Sequence, residues 1–247
     1  MKKDSELLKK LPLPVKLHIK HLEQVRSDFI ANVSHELRTP LTVIHGYLEG
    51  LLKETEIDKK FLKKIYQQMY QNSIRMEKII GDLLLLSRLE NEEVSDELKP
   101  INVNKILKLL YVDAKIISGN KQQEINLIMD KIIYVVGREE ELKSLFYNLI
   151  TNAIKYTPSH GKILIKWYGY KNKAIFKIED NGIGISKKNI PRITERFYRV
   201  DKSRSRENGG TGLGLAIAKH VVVNHHGQLI IESEVGKGSV FTCIFPI

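Results

Sequence analysis

Leu22, Val25, Phe29, Val33, Leu37, Leu41, Ile44, Leu48 and Leu51 follow one another at steps of three or four residues, the repeat of a single buried stripe along one helix. Residues 53–60 are charged and poor in large apolar side chains, which suits an interhelical turn. Phe61, Ile65, Met69, Met76, Ile79 or Ile80, Leu83 and Leu86 then mark a second amphipathic helix that runs to about Leu89. Two such helices form a hairpin whose apolar stripe is too wide to cover itself, and pairing two hairpins into a four-helix bundle is the usual solution. The first fold expectation is therefore an α hairpin forming a dimeric four-helix bundle, with the chain as a homodimer.

Residues 1–20 hold Pro12 and Pro14 and lack strong periodicity, so they read as a connector. Asn91 to Pro100 is polar and ends in proline, the signature of a linker. Beyond it the pattern is mixed. A short helix is expected over Asn104–Leu110, strands over Glu124–Met129 and Ile132–Val136, and a long helix over Glu139–Tyr156. Strands follow at Lys162–Tyr168, Ala174–Glu179, Gln228–Ser233 and Ser239–Phe245, with a second long helix at Leu213–Val223. The sum is an α+β sandwich, a sheet covered by helices on one face.

The 247 residues allow about two domains, enough chain for a real core in the larger one. No apolar run approaches the roughly 20 residues that span a bilayer, and Met1-Lys2-Lys3-Asp4 opens no signal peptide. The expectation is a cytoplasmic fragment. The single Cys243 cannot form an internal disulfide and suits a buried strand in a reducing compartment. The formal charge of +11 is scattered rather than focused, and no zinc spacing, helix-turn-helix or aromatic-interleaved basic strand accompanies it. Nucleic acid is thus set aside as a partner, and solvated faces with some attraction to nucleotide or an acidic protein explain the charge.

His35 lies off the first stripe, roughly 160° from Leu37 at about 100° per residue, so its imidazole should face water, with Thr39 one turn on beside it. An exposed neutral imidazole is a competent nucleophile, and the adjacent Glu36 can fix its tautomer and take its proton. Pro40 withholds an N–H from the Glu36 carbonyl and should kink the helix there. Alone, His35 would read as an ordinary surface histidine; the string Ser34-His35-Glu36-Leu37-Arg38-Thr39-Pro40 argues otherwise. His45 matches nothing in it and reads as a surface or packing histidine.

In the larger half, Asn148, Asn152 and Lys155 share a stripe of the long helix beside the apolar one of Leu142, Leu145, Leu149 and Ala153. Amide oxygens suit Mg²⁺, which borrows the rest of its shell from waters and phosphates, though these three alone fit a plain polar face equally well. Asp180-Asn181-Gly182-Ile183-Gly184 follows an apolar strand, where a carboxylate can accept from an exocyclic amine and glycines admit a flat ring. By itself that is also a common glycine turn. Gly209-Gly210-Thr211-Gly212-Leu213-Gly214 opens the second long helix, and free N–H groups at a helix start make a phosphate cradle.

The stretch Phe29 to Thr42 resembles the phosphoacceptor box of bacterial sensor histidine kinases, and Asn148–Thr157, Asp180–Gly184, Phe197 and Gly210–Gly214 are similar to the N, G1, F and G2 boxes of their catalytic domain. The resemblance covers about Leu22 to Pro246. It implies a connector (1–20), a dimerisation and histidine phosphotransfer domain (21–92) and a catalytic domain (93–247) of the Bergerat (GHKL) ATP-binding fold. It implies that His35 is phosphorylated from ATP and passes the group to an aspartate of a response-regulator receiver domain. Glu36 would assist that step, and Thr39 would position water for dephosphorylating the regulator. Mg²⁺ would sit on Asn152 with help from Asn148, Lys155 would add positive charge, Asp180 would read adenine between Gly182 and Gly184, and Tyr156 would lie near base or ribose. Gly210, Thr211, Gly212, Leu213 and Gly214 would line the phosphates, and Arg199 would reach the γ-phosphate.

Leu41–Glu49, Ile190–Lys202 and Asn224-His225-His226 resemble the phosphate-regulon branch of the family; Thr194, where most relatives carry an aromatic, and His225-His226-Gly227-Gln228, in place of His-Gly-Gly, are departures from the family pattern that look shared with that branch. That likeness implies phosphate starvation as the signal, the phosphate-regulon regulator as partner, and an inner-membrane anchor upstream of this segment. Two other readings compete: a docking module that binds nucleotide only to scaffold a regulator, against which His35, Asn152 and Arg199 argue, and a Bergerat ATPase that uses water as acceptor, which would lack the histidine hairpin.

Overall fold

A computed structural model describes residues 12–53, 58–90, 98–200 and 210–247. The chain divides into two compact units, one up to Ile79 and one from Ile80 onward.

The first unit is built on α1 (Leu13–Lys53) and most of α2 (Lys59–Glu90). Helix α1 begins earlier than the expected connector allows. Pro12 and Pro14 do not prevent it: Pro14 falls in the first turn, where its missing N–H is no loss, and the Pro12 carbonyl accepts from Val15 N at 3.0 Å. Asp58 caps α2, its Oδ2 accepting from the N–H of Lys60 and of Phe61 at 3.1 Å each. α1 runs unbroken through Pro40, which is buried. Among the described residues of the unit, Pro40, Ile65 and Ile79 are buried, whereas Val25, Leu41 and Leu48 of the expected stripe are exposed in the single chain.

The second unit carries a five-stranded sheet, β2 (Glu124–Met129), β4 (Lys162–Tyr170), β5 (Lys173–Asp180), β7 (Gly238–Pro246) and β6 (Gln228–Glu234) in spatial order. β2 pairs with β4 in parallel and the remaining neighbours are antiparallel. Ile163, Ile165 and Trp167 of β4, Phe176 and Ile178 of β5, and Phe241, Cys243 and Phe245 of β7 alternate inward; Lys166, Lys177 and Glu179 alternate outward, where Lys177 and Glu179 pair at 2.7 Å. Three helices, α3 (Val103–Ser118), α4 (Glu139–Tyr156) and α5 (Gly214–Asn224), complete the layer, and Phe146 of α4 stacks into Phe176 at 4.6 Å between centroids.

Two further differences from the sequence reading have physical causes. Residues 91–97 of the expected linker lie outside the described residues, but Lys99 and Pro100 open a strand, β1 (Lys99–Asn102), paired with β3 (Tyr134–Gly137). A proline at the start of an edge strand loses no ladder bond, so it does not mark a linker there. Helix α3 runs on to Ser118, eight residues past Leu110, with Leu109, Val112 and Ile116 on its exposed side blurring its amphipathic pattern.

Candidate phosphotransfer and nucleotide sites

On α1, His35 and Thr39 are exposed. Thr39 Oγ1 donates back to the His35 carbonyl at 3.1 Å, which leaves the hydroxyl oxygen free to accept beside the imidazole. Glu36 is half-buried and paired at 3.1 Å with Arg75 of α2, a partner the local sequence pattern did not reveal.

In the sheet unit, side chains from α4, the β5 end and the start of α5 converge. Asn148 is buried, and its Nδ2 donates to the Ser144 carbonyl at 3.0 Å, so the amide is turned with Oδ1 outward. That oxygen faces the start of α5: a methyl group on Gly214 would come within 2.6 Å of it. A methyl group on Gly210 would collide with Lys155 Nζ, which lies 5.1 Å from the Tyr156 ring. Gly212, at φ +75, lies against Phe197, whose N–H donates to the Gly212 carbonyl at 2.9 Å, and a Cβ there would sit 3.3 Å from Arg199 Nε. Phe197 itself has φ +60, an unfavourable conformation for a bulky residue. The Thr211 hydroxyl is buried and accepts from Leu213 N at 3.2 Å, shaping the turn into the helix. Asn152 lies one turn along α4 from Asn148, half-buried.

Asp180 ends β5. Burial pushes its carboxyl above the ordinary range, and hydrogen bonds from the backbone of Gly182 and Ser239 hold it down. The Gly182 bond is 2.8 Å long, and a Cβ on Gly182 would meet the Tyr156 carbonyl at 2.5 Å. Ile183 N donates to that carbonyl at 3.2 Å, tying the Asp180 loop to the end of α4. Gly184, at φ +68, packs on the backbone of Glu234. Tyr156 stands at the mouth of this group, 42 % exposed. Its phenol is raised by desolvation against the opposing pull of the Arg199 charge.

The arrangement fits Mg²⁺ and a nucleoside triphosphate. Among the described residues no group of three or more His, Cys, Asp or Glu side chains could hold a metal ion, so a divalent cation here would rest on amide oxygens and phosphates. The Asn148 oxygen offers such a ligand, and the glycines at the start of α5 admit Lys155 Nζ and Asn148 Oδ1 at distances that a Cβ would forbid, beside the backbone N–H groups of a helix start. Ser144 and the strained backbone of Phe197 escaped the sequence reading, although that reading includes Phe197 itself; the serine left a local signal, one turn before Asn148.

Two family models match. Residues 25–92 match the His Kinase A (phospho-acceptor) domain, and residues 137–247 the histidine kinase-, DNA gyrase B- and HSP90-like ATPase. The phosphate regulon sensor protein PhoR of Pseudomonas aeruginosa is 48% identical over 228 residues, 92% of this chain and 51% of that protein. PhoR of Haemophilus influenzae is 40% identical over 92% of this chain and 52% of its own length, and the sensor-like histidine kinase SenX3 of Mycolicibacterium smegmatis 38% over 91% and 58%. Among solved structures, the Acinetobacter baumannii histidine kinase AdeS shares the fold with TM-score 0.66 at 24% identity, covering 86% of this chain and 97% of that one. The histidine kinase ThkA, in a complex with the response regulator protein TrrA, does so with TM-score 0.68 at 22% identity over 92% and 63%. The chain belongs to the two-component sensor histidine kinases, close to the PhoR proteins. It spans about half the length of the PhoR proteins it matches.

Proposed function

We propose that this segment carries out ATP-dependent phosphorylation of His35 and hands the phosphoryl group to an aspartate of a response-regulator receiver domain, acting as a homodimer. A ring nitrogen of His35 attacks the γ-phosphorus, a P–N bond forms, and the bond to the bridging oxygen breaks to release ADP. The imidazole proton passes to Glu36, whose carboxylate Arg75 holds at 3.1 Å. In the nucleotide site, Asp180 accepts from the adenine amine, Tyr156 flanks the base or ribose, and Lys155 and Arg199 meet phosphate charge. Bound Mg²⁺, held by Asn152 and Asn148, would neutralise the phosphates. Gly210, Thr211, Gly212, Leu213 and Gly214 would surround them.

The observation that carries this reading is the convergence of Asn148 Oδ1, Lys155 Nζ and the glycines of the α5 turn. Phosphoryl transfer needs positioned cations and backbone donors more than covalent chemistry, and these residues supply both. In the same reading the protein also dephosphorylates its regulator, with Thr39 orienting water, and answers phosphate starvation; the likeness to PhoR supports the latter.

Incubation with γ-labelled ATP tests the core of the proposal. His35→Gln is expected to abolish an acid-labile label while Mg-ATP binding persists, because nucleophile and nucleotide site stand in different units. Acid-stable label, or loss of ATP affinity in that variant, would overturn the assignment.

A further inference from the structure

Helix α4 ends without the glycine that closes many helices. Its C-cap, Thr157, is extended at φ −86 and ψ 132, so the last carbonyls need partners from elsewhere. Every carbonyl from Ala153 to Pro158 has one. Ala153 O accepts from Thr157 N at 3.0 Å, Tyr156 O from Ile183 N at 3.2 Å and Pro158 O from Gly161 N at 3.1 Å. The other three fall to two side chains more than thirty positions away in sequence. Lys121 Nζ donates to the carbonyls of Ile154, Lys155 and Thr157 at 2.7, 3.0 and 3.0 Å. Gln123 Nε2 donates to those of Ile154 and Thr157 at 3.0 and 2.7 Å, and reaches Pro158 O at 3.4 Å.

Local structure delivers both groups to one place. Gln122 between them, at φ +49, ends the single turn of Gly119–Lys121 in a left-handed conformation, and its N–H donates to the Gly119 carbonyl at 3.4 Å. Ser118, buried at the end of α3, donates to Gln123 Oε1 at 3.0 Å and so turns the amide with its NH₂ toward the helix end. His160 N donates to the Lys121 carbonyl at 2.9 Å, which fastens the segment to the chain leaving α4. An ammonium at a helix C-terminus also meets the negative end of the helix dipole.

The carbonyls held in this way belong to Lys155 and its neighbours, and the one between them, Tyr156 O, holds the Asp180 loop. We infer that Lys121 and Gln123 are positioning residues for the nucleotide site: by fixing the last turn of α4 they set where Lys155 and Tyr156 stand relative to Asp180. The inference rests on the ATP-binding reading of that site. It concerns binding, so its effect is expected in the affinity for nucleotide rather than in the chemical step.

The test compares the parent chain with Lys121→Met, which keeps the stem and removes the charge, Lys121→Arg, which restores donors, and Gln123→Glu, which keeps shape and replaces the NH₂ with an acceptor. The thermal midpoint of each is recorded, and Mg-ATP affinity, KM and kcat for His35 phosphorylation are measured well below it. Lys121→Met and Gln123→Glu are expected to raise Kd and KM for Mg-ATP about 10-fold, equivalent to ~1.4 kcal/mol, with kcat at saturation within about twofold of the parent. Lys121→Arg should recover most of the affinity. If both variants melt earlier yet bind Mg-ATP like the parent, the residues are structural only and the inference falls. If Lys121→Met fails to fold, Gln123→Glu decides by the same criterion. A parent chain that binds no Mg-ATP would instead strike the reading of the site itself.

Discussion

At His35, the proposed function assigns two side chains of one helix face to two reactions. Glu36 is the neighbour that can take the imidazole proton, and its carboxylate is engaged with Arg75. Thr39 donates its hydroxyl hydrogen to the His35 carbonyl at 3.1 Å, so its oxygen presents lone pairs to solvent beside the imidazole. A water that attacks an aspartyl phosphate needs an acceptor to orient it, whereas His35, whose proton goes to Glu36, does not need the Thr39 oxygen when it attacks ATP. Thr39→Ala should therefore keep autophosphorylation within about twofold and slow dephosphorylation of the regulator by 10²-fold or so, the range for losing one positioned group. Following label on the regulator with ADP present distinguishes the two. If both activities fall together, or neither does, Thr39 does not divide them.

Among the elements, the long, strongly periodic ones could be read directly. Glu139–Tyr156 and Glu124–Met129 have the limits their patterns gave, because Leu142, Leu145 and Leu149 of the helix and Ile125 of the strand are buried and each element opens on a glutamate. What escaped depends on partners distant in the chain. Strand β1 exists through β3, Glu36 is held from α2, and the end of α4 is held by Lys121 and Gln123. No local window contains such pairs. His225 is a further case, joining the end of α5 to the start of α4. Its Nδ1 lies 2.8 Å from Val221 O, its Nε2 accepts from Arg138 N at 3.2 Å, and Gly137 leaves room for the ring. Only the neutral tautomer satisfies both bonds. Burial lowers its pKa below 6.5; Val221 O and Glu141 pull the other way, and Arg138 and His226 add to the lowering. The unfolded chain therefore binds this proton first as pH falls. Its stabilisation is complete above about pH 6.5 and lost progressively below it. His225→Gln, which can still accept from Arg138 N, should melt lower at pH 8 but lose less between pH 8 and pH 5 than the parent. His220, also lowered by burial, adds a slope common to both proteins. Parallel melting curves against pH would remove His225 from the account.

For the molecule as a whole, the hairpin is incomplete by itself. Val25 is 43%, Leu41 54% and Leu48 44% exposed on α1, and Tyr66 56%, Tyr70 68% and Ile74 47% on α2; Leu41 and Leu48 lie seven residues apart and the three on α2 four apart, the spacing of one helix face. Burying a large apolar side chain fully contributes about 1.5–3 kcal/mol, so half-exposed ones hold back about half of that. In an isologous pair of hairpins each of them counts twice. Six positions per chain then offer roughly 10 kcal/mol or more, comparable with the ~4–15 kcal/mol that association costs, and the partly covered Phe29, Val33, Leu37, Ile44 and Leu51 add to the favourable side. The balance favours a stable dimer but not an unbreakable one. Two charges on the stripe should reverse it, since each must be left unpaired in an apolar seam. Leu41→Lys combined with Leu48→Lys is therefore expected to change the mass in light scattering from two chains to one. Mg-ATP affinity should stay within about twofold, because the nucleotide site is made within the other unit. A double variant that keeps the two-chain mass would place the dimer contact off this stripe, and a parent chain with the mass of one would exclude the bundle for this segment.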